Sequence, residues 1–78
     1  MEIYIVTCVN EDGWVSIVGS YKNLERAKLF MRQDWSNTCE SLHQEGFIPT
    51  MKRDELCATL AYGNGHYYKY QINTSTLR

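Results

Sequence analysis

The sequence predicts an α+β fold: a four-stranded antiparallel sheet in the order β-β-α-β-β, packed on one long or kinked helix. Three observations carry this. Two short glycine-bearing turns, Asn10-Glu11-Asp12-Gly13 and Gly63-Asn64-Gly65, each lie between segments rich in β-branched and aromatic residues. Such turns need residues that tolerate positive φ, which makes them strong hairpin signals. Between the hairpins, Leu24, Ala27, Met31, Trp35, Thr38 and Leu42 recur at three-and-four spacing, an apolar stripe of helical period. One helix across one antiparallel sheet is the simplest way to bury both patterns.

Each element can be justified in chain order. Residues 2–9 alternate Ile3, Ile5, Thr7, Val9 against Tyr4, Val6, Cys8, which is a strand with two largely apolar faces. A second strand runs from Trp14 to about Tyr21, and Gly19 within it predicts a bulge or a close approach by another group. Ser20 or Asn23 can cap the helix, and Glu25 in its first turn suits the dipole. Ser36-Asn37-Thr38 is a weak point, so residues 23–45 read as one helix or as two with a kink near 36. Gly46 ends the helix and Pro49 follows. Residues 47–54 read as an irregular crossing loop. Leu56, Ala58, Leu60 and Tyr62 alternate with Cys57, Thr59 and Ala61 as a third strand, and His66–Ile72 form a fourth. The expected domain is 1–73, with 74–78 as a frayed polar tail.

Composition limits the function. Seventy-eight residues allow one small domain and leave little room for a deep enclosed pocket. A net charge of −1 argues against non-specific nucleic-acid binding, which needs many cations to displace counterions. No apolar run reaches the length of a membrane span, and the start Met1-Glu2-Ile3-Tyr4 lacks the basic opening of a signal peptide. Three cysteines, an odd number, suit reduced thiols in a cytoplasm. A soluble, cytoplasmic protein, with no membrane partner, is the expectation.

The opening IYIVTCVNEDGWVSIVGSYKNLERAKLFM and the ending LAYGNGHYYKYQINTSTL resemble small phage, prophage and Gram-positive proteins that begin with a "VYIVT"-type strand. Those proteins run through a tight turn and "I-x-G-x-Y/F" into a helix, and close on a Tyr-rich hairpin. The resemblance covers nearly the whole chain, and its motifs are structural. It implies a mobile-element setting in the cytoplasm of a bacterial host, in which small proteins often bind and alter a host protein, including components of defence systems. Three cysteines and a less acidic second half depart from the type.

Cys39 and His43 are four apart on one helix face, and Cys57 and His66 could complete a Cys₂His₂ metal set. The spacing is atypical, and Cys57 alternates away from Leu56 and Leu60, so these are weak metal candidates and no cofactor is expected. No nucleophile elbow, phosphate loop or His-Glu-x-x-His is present, so no enzyme activity and no catalytic residue is predicted. The ten aromatics are the stronger signal. Tyr4 and Trp14 on the first hairpin, with Tyr67, Tyr68 and Tyr70 on the last, are the candidate partner-binding residues, since Tyr and Trp are enriched at interfaces. The functional expectation is a non-enzymatic protein–protein interaction module that modulates or inhibits a host protein, with a homodimer also considered. The alternative is a single-stranded nucleic-acid-binding sheet, disfavoured because Lys69 is the only cation on the last hairpin.

Overall fold

The computed structural model describes residues 2–76. It is α+β, with the elements β1 (Glu2–Asn10), β2 (Val15–Tyr21), α1 (Leu24–Gln44), β3 (Thr50–Arg53), β4 (Cys57–Tyr62) and β5 (His66–Thr76). The sheet is antiparallel with five strands, not four, in the order β2-β1-β5-β4-β3. β5 therefore lies at its centre between β1 and β4, and β2 and β3 form its edges. No helix among the described residues is long and apolar enough to cross a membrane.

The additional strand is the segment expected to be an irregular loop. All four residues of β3 are exposed, so no alternation marks them in the sequence. Backbone pairing with β4, from Thr50 opposite Ala61 to Arg53 opposite Ala58, makes them a strand. The helix is single and continuous. Asn23 Oδ1 accepts from the Arg26 amide at 3.1 Å, which is the N-cap. At the other end Gly46 (φ 94°) allows Phe47 N–H to reach Leu42 O at 2.9 Å and Gly46 N–H to reach His43 O at 3.0 Å, a Schellman closure. The weak Ser36–Thr38 segment is fixed from both sides. The Trp35 indole donates to Thr59 O at 3.1 Å, and Thr38 Oγ1 bonds the Tyr70 hydroxyl at 2.7 Å. These tertiary contacts favour one continuous helix over two.

β5 runs to Thr76, so residues 74–76 are paired with β1 rather than frayed, Thr76 lying opposite Glu2. The expected tail at 77–78 lies outside the described residues. The helix covers one face of the sheet. Val6, Ala27, Met31, Ala58, Tyr70 and Ile72 form the main core, and Cys39, Leu42 and Leu60 form a second cluster toward the helix C-terminus. Trp35 and Tyr68 pack against both.

Gly19 marks the bulge that its position predicted. Val6 pairs with Gly19 and Thr7 with Ile17, which leaves Val18 as the extra residue. A Cβ on Gly19 would stand 2.5 Å from the Tyr21 hydroxyl. The Tyr21 ring fills that space and stacks on Phe30 of the helix, with centroids 5.1 Å apart and planes 5° from parallel.

Candidate functional site

Strand alternation divides β1 into two sets. Tyr4, Val6 and Cys8 face the helix, so Ile3, Ile5, Thr7 and Val9 point away from it. Register extends this second face. Val15 and Ile17 lie beside Val9 and Thr7 on one side, and Lys69, Gln71 and Asn73 lie beside Val9, Thr7 and Ile5 on the other. Cys57, Thr59 and Ala61 continue it along β4, opposite Gln71, Lys69 and Tyr67. Among the described residues no helix covers this face, since α1 packs on the other one. Its β1–β2 half is apolar, and its β5–β4 half is mostly polar. The two halves are stitched by Asn73 Nδ2 donating to Thr7 Oγ1 at 3.2 Å and by Thr7 Oγ1 donating to Gln71 O at 3.4 Å.

The five candidate partner-binding aromatics do not share one surface. Trp14 is 74% exposed at the start of β2, and Tyr67 is 40% exposed on the bare face. Tyr4 lies on the helix side, where its hydroxyl donates to Glu2 Oε2 at 3.0 Å, a contact that raises the Tyr4 pKa. Tyr68 is on the same side and stacks on Tyr62 at 5.6 Å. Tyr70 is in the core at 2% exposure. Its hydroxyl donates to Asp34 Oδ2 at 2.6 Å and meets Thr38 Oγ1 at 2.7 Å. Burial, followed by the Asp34 carboxylate, pushes the Tyr70 phenol well above its usual range. Burial likewise raises the nearby Cys8 thiol, partly offset by the Tyr70 hydroxyl.

The four metal candidates are dispersed. Cys39 is buried against Leu42 and Leu60 on the helix side, with a weak S–H contact to Met51 Sδ at 3.6 Å. His43 is exposed in the last helical turn. Cys57 lies on the bare face, across the sheet from Cys39. His66 Nδ1 donates to Glu11 Oε1. Among the described residues no group of three or more His, Cys, Asp or Glu could hold a metal ion, and all three cysteines are free thiols.

The His66–Glu11 contact joins the tip of the first hairpin to that of the second, and Tyr67 N–H adds a bond to Glu11 Oε2 at 3.4 Å. The His66 contact holds the Glu11 carboxyl below its ordinary value. Around it, Tyr62 stacks on His66 at 5.5 Å and meets Phe47 edge-on at 5.2 Å. The Tyr62 phenol is pushed above its usual range, first by its hydrogen bond with Tyr68 and then by burial.

Sequence reasoning did not single out Val15 and Ile17, which are 61% and 73% exposed. The available signal was charge. From Gly13 to Tyr21 the chain carries no charged residue, although this strand lies at an edge of the sheet. The other edge, β3, is four residues long and carries Lys52 and Arg53.

The shallow cleft of about 440 Å³ between helix and β3–β4 turn is lined by Lys28, Arg32 and Arg53 with Glu25, Asp54 and Glu55, besides Met31. None of the candidate residues reaches it. The fold and surface thus define an α+β protein with one helix on one face of a five-stranded antiparallel sheet and the other face bare. Compared with known protein families, curated proteins and solved structures, the chain finds no match.

Proposed function

We propose that this chain is a non-enzymatic protein–protein interaction module that presents the bare face of its sheet to a protein partner. The observation that carries the reading is the apolar half of that face, where Ile3, Ile5 and Val9 of β1 are half-buried, Val15 and Ile17 of β2 are exposed, and no element among the described residues lies over them. Contiguous exposed apolar surface on a small protein marks a contact site. The resemblance of the opening hairpin and Tyr-rich ending to phage and prophage proteins supports an accessory role, binding and inhibiting or modulating a host protein in the bacterial cytoplasm. A protein partner suits the surface better than a nucleic-acid strand. Tyr68 and Tyr70 face the helix, which leaves Tyr67 as the ring of the last hairpin available for base stacking.

Val9→Glu tests this reading. The new carboxylate enters the hairpin end of the apolar half, beside Val15 and directly opposite Lys69, so a cross-strand ion pair preserves the sheet. Immobilised wild type should capture a host protein from bacterial lysate, and Val9→Glu should lose it while keeping its thermal unfolding midpoint. A partner held equally by both forms, or no partner for either, rejects the reading.

A further inference from the structure

We infer that β2 pairs with β2 of a second copy of this chain, joining two sheets edge to edge into one ten-stranded sheet. The inference rests on the reading of the sheet as a protein-binding surface and adds a specific partner for its edge.

The hydrogen-bond phase of the hairpin shows which groups the edge leaves open. Asn10 N–H donates to Trp14 O at 3.2 Å, placing the bonded phase at that pair. Antiparallel ladders alternate bonded and non-bonded pairs. Cys8–Ser16 is then a bonded pair, and Val9–Val15 and Thr7–Ile17 are non-bonded. The N–H and C=O groups of Val15 and Ile17 consequently point away from β1, toward the free edge. Their side chains are also exposed, as is Trp14 beside them. Natural edge strands are normally blunted by shortness, charge or proline. β3 has the first two of these. β2 has seven residues with no charge and no proline, and its bulge at Val18 lies beyond the Val15–Ile17 segment.

The edge is self-complementary. An antiparallel pairing with its two-fold axis at Ser16 sets Val15 opposite Ile17 of the second copy, and Ile17 opposite its Val15. Both are outward-directed pairs, so four backbone hydrogen bonds form. All four side chains lie on the bare face and extend its apolar half across the axis. No charge opposes the pairing, since from Gly13 to Tyr21 the edge carries none. An isologous contact of this kind closes on itself as a dimer and does not propagate into a fibre.

The purified protein alone provides the test, by light scattering across a concentration series. Wild type should be a dimer, and Ile17→Lys, which sets a charge on each side of the axis, should be a monomer with an unchanged far-UV spectrum. Val15→Lys, which sets the same charge opposite Ile17 of the second copy, should be a monomer as well. Amide exchange at Val15 and Ile17 should be slow in wild type and fast in Ile17→Lys. A wild type that stays monomeric into the high-micromolar range, or a dimer indifferent to Ile17→Lys and Val15→Lys, overturns the pairing. None of these outcomes bears on capture by the bare face, which the Val9→Glu comparison decides separately.

Discussion

Tyr70 shows how one side chain can be both core and polar. Its ring is buried among Val6, Ala58 and Met31, while its hydroxyl reaches Asp34 and Thr38 on the helix. The single phenolic proton goes to Asp34, so Thr38 donates to the phenol oxygen. Replacing Tyr70 by Phe keeps the ring and leaves the Asp34 carboxylate and Thr38 hydroxyl half-buried without that partner. The expected loss is about 1–3 kcal/mol, read as a lower urea midpoint at unchanged slope. The pH dependence has a definite sign. The folded-state pKa is raised above the ordinary 10.0, so the unfolded chain ionises first and stability falls as pH rises past that value. Tyr70→Phe removes this contribution to alkaline unfolding.

At the scale of elements, the two hairpins are tied at their tips by His66 and Glu11 as well as by the β1–β5 ladder. Glu11 has its folded-state pKa lowered from an ordinary 4.5, chiefly by His66. A lowered carboxyl pKa contributes stability that is present above the ordinary value and is lost as pH falls through the folded one. Thermal midpoints measured from neutral pH downward should therefore drop in acid for wild type, and drop less for Glu11→Gln, which starts lower at neutral pH. Equal acid sensitivity in both proteins would show that the clip contributes nothing. Gly19 also acts at this scale. The Tyr21 ring that lies over it links β2 to Phe30, a second tie between the edge strand and the helix.

At the scale of the molecule, the central pairing joins residues near the two ends of the chain, with Glu2 opposite Thr76 and Asn10 opposite Tyr68. The chain must close long loops before this ladder forms, which places the fold among the slower topologies for its size. Stability should be graded outward from the centre. Amide exchange is expected to be slowest at Val6 and Cys8 of β1 and at Tyr70 and Ile72 of β5, and fastest in β3, whose four residues are all exposed. Protection in β3 equal to that in β1 would contradict this gradient. In β2 the same measurement separates a free edge from a paired one.

The sequence by itself determined what local chemistry can encode. Asp12-Gly13 and Gly63-Asn64-Gly65 specify two hairpins, as shown by the positive φ of Gly13, Gly63 and Gly65. The spacing from Leu24 to Leu42 specifies one amphipathic helix, and Asn23 and Gly46 specify its ends. Three matters were decided only in three dimensions. β3 carries no pattern, because an exposed edge strand is held by backbone bonds that any side chain permits. The continuous helix depends on Trp35 and Thr38 finding Thr59 and Tyr70 more than twenty residues away. The bare face depends on which side of β1 the helix takes. Both sides are apolar enough to be buried, so alternation names two sets of residues without choosing between them. Packing against Ala27 and Met31 chose Tyr4, Val6 and Cys8. That choice sent Tyr68 and Tyr70 inward and left Val15 and Ile17 outside.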